Sequence, residues 1–157
     1  QLSMNWLTFI LSSMEDELIF IDGGYALKSH SVKFSKSDDF LVQKIEKFLI
    51  QAGFNLMKAI DLDESDEKKS LELLHVLKNN RKVYEVVQGM WIHASVWDKL
   101  IDIIAHYYLT HDKMNISDFK TMTKTTRKNA IPLLELLDKM KITERDGDAR
   151  IKGEACA

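Results

Sequence analysis

From Ser117 to Lys152 the chain reads SDFKTMTKTTRKNAIPLLELLDKMKITERDGDARIK, and the spacing of its apolar residues divides it into three pieces. Ser117 to Met122 is a short helix. Leu133, Leu134, Leu136 and Leu137 form the buried stripe of a second one. Ile142 to Arg145 and Ala149 to Lys152 are short strands around Asp146-Gly147-Asp148, a strong turn signal because glycine tolerates positive φ. Working outward, Val96 to Thr110 is a further helix. Ser95 is its expected N-cap, and Asp98 three residues on completes a capping box. Three helices followed by a two-stranded hairpin, in about 60 residues, is a helix-turn-helix with a wing. The expected fold class is therefore mostly α with small β-hairpins (α+β), arranged as tandem winged-helix domains.

The plural comes from self-similarity. Adding 59 to a position lands repeatedly on the same residue type, with no gap. Leu41, Ile45, Phe48 and Leu49 meet Leu100, Ile104, Tyr107 and Tyr108, while Leu74, Leu77, Val83 and Ile92 meet Leu133, Leu136, Ile142 and Ile151. The first copy then has a helix from Ser37, its expected cap, to Ala52, a short helix at Leu56 to Asp61, and a third helix carrying Leu71, Leu74 and Leu77. Its hairpin is Val83 to Val87 and Met90 to His93 around Gln88-Gly89. A shorter echo precedes both copies. Leu18 to Ile21, Asp22-Gly23-Gly24 and Tyr25 to Lys28 read as the closing hairpin of a third copy. The expected division is 1–34 as a remnant of a preceding domain, 35–94 as one winged helix and 95–157 as the next. Only Ala94 and Ser95 separate the last two, too few for a tether, so a nearly fixed relation is expected. Since the sequence starts at Gln1 in mid-pattern, it reads as a piece of something longer.

Composition narrows the chemistry. Of 157 residues, 45% are apolar, enough for real cores, and Lys+Arg 22 against Asp+Glu 24 gives a net charge of −2, so no global field draws the chain to a polyanion. No apolar run approaches the length of a membrane span; Trp6 to Leu11 is broken by Ser12 and Ser13. The one cysteine, Cys156, excludes an internal disulfide framework and a cysteine-built zinc site. No membrane partner, a monomer and a cytoplasmic location are expected. Catalysis has little support. The histidines lack metal-ligand spacing, and His106 and His111, five apart, lie on different helix faces. The Gly turns lack the Lys and Ser/Thr of a phosphate loop. The acids from Asp61 to Glu67 read as a solvated loop and helix start. Trp6, Trp91 and Trp97 read as packing residues and not as stacking platforms for bases.

Binding is better supported, through a difference between the copies. In a helix-turn-helix the turn and the start of the third helix face the nucleic acid, where cations reinforce the helix dipole and free N–H groups. In the second copy that stretch is Lys120 to Asn129, with four cations, no acid and five hydroxyl or amide side chains; 59 positions earlier, Asp61 to Ser70 holds five acids against two lysines. Lys113 to Lys128 carries a local charge of +4. The expected contacts are Lys120, Lys124, Thr125, Thr126, Arg127, Lys128 and Asn129, with Arg145 and Arg150 from the wing, diluted there by Glu144, Asp146 and Asp148. Pro132, inside the third helix, deletes its bond to the Lys128 carbonyl; it either angles the basic end outward or marks where the regular helix begins.

The run from Ser117 through Arg127-Lys128-Asn129-Ala130-Ile131-Pro132-Leu133-Leu134-Glu135-Leu136-Leu137-Asp138 to the Asp146-Gly147-Asp148 wing resembles the C-terminal region of SelB, the family of bacterial selenocysteine-specific elongation factors. The segments Leu27 to Ser35 and Met90 to His93 sit where similar segments do, so the resemblance extends over essentially the whole chain. It implies a string of winged helices, the last gripping the SECIS mRNA hairpin by its phosphates and its splayed or bulged bases, which are the readable part of RNA. It also implies upstream GTPase and tRNA-binding domains. No cofactor and no GTPase activity are then expected of this chain, with GTP, the ribosome and selenocysteyl-tRNA belonging to the complete factor. Two departures stand out: Asn129 replaces an aromatic, and the wing has few cations.

The competing reading is a DNA-binding transcription regulator, since winged helices are widely used so. It would want both recognition faces basic, or a dimer on paired half-sites. Asp61 to Glu67 oppose the first option. A third reading, a protein-interaction module, fits the acidic copy.

Overall fold

The protein is described by a computed structural model. It describes residues 18–21, 24–27 and 36–156, with the side chains of the first two segments and of residues 36 and 37 left aside. The readings made for Trp6 to Leu11, for His30 and for the Lys28 to Ser35 segment lie outside those residues. The chain divides into two compact units, 1–34 and 35–157. In the first, β1 (Leu18–Ile21) pairs antiparallel with β2 (Gly24–Leu27), Leu18 opposite Leu27 and Ile21 opposite Gly24. Gly24 thus belongs to the strand, not to the turn.

The second unit holds two modules with one order of elements. The first runs α1 (Lys36–Ala52), α2 (Ala59–Leu62), α3 (Glu67–Asn79), β3 (Val83–Val87) and β4 (Met90–His93). The second runs α4 (Ala94–Tyr107), α5 (Ile116–Thr123), α6 (Arg127–Lys139), β5 (Thr143–Asp146) and β6 (Ala149–Lys152). Each hairpin is an antiparallel pair of its own, so the fold is mostly helical with small β-hairpins. Apolar spacing explains the helices: Val42, Ile45 and Leu49 are the buried stripe of α1, Leu73, Leu74 and Leu77 that of α3, and Leu133, Leu134 and Leu137 that of α6.

The repeat is present, but the ungapped register of 59 is not. Val42, Ile45 and Leu49 correspond to Trp97, Leu100 and Ile104, 55 positions on. The capping pairs Lys58–Asp61 and Asn115–Asp118 are 57 apart. The helices α3 and α6, each 13 residues, are 60 apart. Loops of different length absorb the differences, and a bulge between Glu85 and Val87 returns the spacing to 59 at the Trp91 and Arg150 positions. Apolar residues are common enough for a single offset to match through all of this.

The start of α4 differs from expectation. Ser95 is not its cap: the ring of His93 accepts the Ser95 backbone N–H on Nδ1 at 3.1 Å, so the helix begins at Ala94 directly after β4 and no linker residues remain. His93 is 7% exposed, and its Nε2 lies 3.5 Å from Glu46 Oε1 on α1. Likewise α5 is capped by Asn115, whose Oδ1 accepts from the N–H groups of Ser117 and Asp118. Ser37 lies within the first turn of α1, which begins at Lys36. The helix α6 starts five residues before Pro132 and continues through it, so Pro132 does not mark its beginning.

The modules share one core. Leu56 and Ile92 of the first lie in the same buried cluster as Trp97, Leu100, Phe119, Leu133 and Leu137 of the second, and Phe54, Val86 and Met90 pack against it. Tyr84 meets Trp97 edge-on across the junction at 6.1 Å between centroids. Trp91 and Trp97 are both buried, so neither offers a face to a base.

Candidate nucleic-acid interface

Residues 124–126 form the turn between α5 and α6. Lys124 ends α5 in the left-handed region, φ 52°, a conformation that costs an L-residue about 1–2 kcal/mol relative to glycine. Thr126 then stands at the N-cap of α6 with no side-chain hydrogen bond to the helix backbone. The first turn of α6 therefore presents its N–H groups without an internal side-chain partner, the arrangement that receives an anion. Around it Lys120, Lys124, Arg127 and Lys128 are exposed, and none forms an ion pair among the described residues.

The remaining predicted residues divide. Thr125 is 7% exposed: its hydroxyl donates to the Phe54 carbonyl and to Asn55 Oδ1, both at 3.1 Å. Asn129 Nδ2 donates to the same Asn55 oxygen at 3.1 Å and to Thr126 Oγ1 at 3.3 Å. Thr121 and Thr123 donate to the Ser117 and Phe119 carbonyls one turn back. Most of the hydroxyl and amide groups read from sequence as phosphate donors are thus engaged inside the protein. Lys113 also leaves the basic count, since its Nζ lies 2.8 Å from Asp146 Oδ2, which holds the ammonium above its ordinary pKa.

At the wing, Arg145 is exposed and its Nε donates to the Gly147 carbonyl at 3.2 Å. Arg150, expected at the surface, is turned inward: its side chain is 12% exposed, with Nε at 3.1 and 3.0 Å from the two Asp138 oxygens and Nη2 at 3.0 Å from Oδ2. The register of β6 places it against the last turn of α6. Even so, Arg127, Arg145 and Arg150 border one cleft of about 350 Å³ between α6 and the wing, completed by Ile116, Ile131, Leu134, Glu135 and Asp148.

The matching face of the first module is closed by its own acids. Asp66 caps α3, accepting the Lys69 N–H at 2.9 Å, and Asp61 Oδ2 accepts the Lys58 N–H at 2.8 Å. Asp63 is held below the usual carboxylate range by the Ser65 hydroxyl and N–H. In the structural register of 60, Glu64 and Glu67 stand where Lys124 and Arg127 stand in the second module. The charge difference survives the change of register. Asn55 was not legible as part of the site: it lies 70 positions before Thr125, in no motif.

The family described as "Elongation factor SelB, winged helix" matches residues 106–151, which hold α5, the turn, α6, β5 and all of β6 but its last residue. Residues 106–151 are thus similar to a SelB winged helix. The selenocysteine-specific elongation factor of Desulfomicrobium baculatum is 30% identical over 128 residues, covering 79% of this chain and 20% of that protein, so the chain spans about a fifth of that relative. Among solved structures, the mRNA-binding domain of elongation factor SelB from E. coli, in complex with SECIS RNA, matches at a TM-score of 0.65 and 20% identity, over 77% of this chain and 100% of that one. The bacterial selenocysteine-specific elongation factor EF-Sec matches at 0.59 and 20% identity, over 94% of this chain and 23% of that one. At that identity both show the fold of a SelB C-terminal region. Among the described residues there is no group of three metal-ligating side chains and no helix long and apolar enough to cross a membrane.

Proposed function

We propose that this SelB region is an RNA-binding module of a selenocysteine-specific translation factor, and that its second module grips an mRNA stem-loop of the SECIS kind. The observation that carries the reading is the set of four exposed cations, Lys120, Lys124, Arg127 and Lys128, flanking the start of α6, whose backbone N–H groups no N-cap side chain satisfies. Thr126 adds a hydroxyl at the cap, and Arg145 lines the cleft from the wing. Arg150, Thr125 and Asn129 hold that face in shape. Arg150 keeps its charge near the cleft while its nitrogens bond Asp138.

An RNA partner fits better than DNA. The SelB match favours it, and the first module, which a two-module DNA reader would need basic, has its helix start occupied by Asp66 and flanked by Glu64 and Glu67. In this reading the chain binds and does not catalyse, while GTP, the ribosome and selenocysteyl-tRNA are partners of the complete factor. Titrating the chain with a folded SECIS stem-loop, the same sequence as duplex DNA, and an unrelated hairpin, at two salt concentrations, tests it. Tight binding to the first alone is expected. Equal weak binding to all three would reduce the site to unspecific charge attraction.

A further inference from the structure

We propose that Asn55, on the first module, is a positioning residue that sets the geometry of the RNA-facing turn of the second; the consequence for affinity rests on the RNA-binding reading above. Three observations meet here. Asn55 Oδ1 accepts two hydrogen bonds from that turn and its helix, from Thr125 Oγ1 and from Asn129 Nδ2, each at 3.1 Å. Its own Nδ2 donates to the Ala52 carbonyl at 3.2 Å, at the end of α1, which fixes the amide so that its oxygen faces the turn. The neighbouring Phe54 carbonyl takes the other half of the Thr125 hydroxyl's bonding at 3.1 Å, while the Phe54 ring packs on the shared core.

The segment so held is under backbone strain. Lys124 immediately precedes Thr125 and sits at φ 52°, so without an anchor the turn has an incentive to relax toward negative φ and move Lys124 and Arg127 with it. Asn55 bonds Thr125 and Asn129, which bracket Arg127 and Lys128, yet it carries no charge. It therefore acts on RNA only through the pose of these side chains. This gives the first module a role in recognition although its own helix start is capped: it supplies the template on which the second module's contact face is held.

The test combines Asn55→Ala, Asn55→Asp and Thr125→Val in the full chain, read by amide hydrogen exchange without RNA and by stem-loop affinity across salt. Losing the acceptor in Asn55→Ala, or the donor in Thr125→Val, should speed exchange of the Asn129 and Ala130 amides, which bond the Thr126 carbonyl, at least about fivefold, the worth of one hydrogen bond, with Leu74 and Leu100 in the cores unchanged. Asn55→Asp keeps the acceptor but sets a carboxylate oxygen in place of the Nδ2 donor against the Ala52 carbonyl, so it should recover only part of the protection. Stem-loop affinity of Asn55→Ala should fall about fivefold at an unchanged slope of log K against log salt, since no cation is removed. Unchanged exchange at Asn129 and Ala130, a rise spread through both cores, or faster exchange with unaltered affinity would each overturn the proposal. If the unmutated chain bound no stem-loop while Asn55→Ala still loosened the turn, the clamp would stand and the RNA reading would fall.

Discussion

Replacing Arg127 and Lys128 together with alanine isolates the electrostatic contribution of the α6 start. Both side chains are exposed and unpaired among the described residues, so their removal leaves no buried charge stranded, and alanine is the best helix former at these positions. Each phosphate contact contributes about 0.8 to the slope of log K against log salt, so four cations give about −3.2 and two about −1.6. At 0.1 M salt, one decade below 1 M, the two lost contacts amount to about 1.6 powers of ten, a loss of about 40-fold in affinity. The assay is a fluorescence titration of a labelled stem-loop at four salt concentrations, with circular dichroism to show that the fold is retained. Lys68→Ala is the matched control, because Lys68 occupies the Lys128 position of the first module and is exposed. Lys69 would not serve, since its Nζ is 2.9 Å from Asp38. A salt slope unmoved by the double substitution, or an equal loss from Lys68→Ala, would refute the assignment of the contact face to the second module.

Three further outcomes follow from particular contacts. Lys124→Gly should lower the salt slope by about 0.8, as one contact is lost, while leaving thermal stability equal or raised by up to about 1 kcal/mol, because glycine relieves the positive φ. His93→Ala removes the ring that caps α4 and should cost about 1 kcal/mol in urea denaturation, with Asn in its place recovering most of it. Burial pushes the Tyr108 hydroxyl up to about 12, with its proton donated to the Arg150 carbonyl at 3.1 Å. A folded-state pKa above the unfolded value near 10 gives stability present in full below pH 10 and lost as pH rises toward 12, and a melting-temperature profile over that window should flatten in Tyr108→Phe.

The helices and hairpins were legible because apolar spacing is a local signal: Leu133, Leu134 and Leu137 fall on one face whatever surrounds them. The mis-set boundaries come from side chains acting outside their usual roles. A histidine capping α4 through Nδ1 is chemically apt but has no standing among the preferred caps, so Ser95 looked the better choice. The basic face was legible as composition, since Lys124, Arg127 and Lys128 stay exposed. The fates of Thr125, Asn129 and Arg150 were not, because their partners, Asn55 and Asp138, are set by tertiary packing: a neighbouring module in one case, a hairpin folding back on its helix in the other.

In the proposed reading, little separates a binding face from a closed one on the same scaffold. At the N-cap of the third helix the first module has Asp66, whose carboxylate accepts the Lys69 N–H; the second has Thr126, whose hydroxyl accepts from no backbone N–H of the helix. An aspartate there supplies both the hydrogen bond and the negative charge that the helix start attracts, so a phosphate arriving at α3 would have to displace a tethered anion and face Glu64 and Glu67 besides. At α6 the same attraction is left for an external ligand and is reinforced by Lys124 and Arg127. Self-capping also leaves the first module free to act as a support. With its helix start satisfied internally, Phe54 and Leu56 after α1 and the wing residues Val86 and Met90 serve as packing surface for the second module. The proposed division of labour, one module as platform and one as grip, would thus trace to a few positions in α3 and α6 and need no difference in fold.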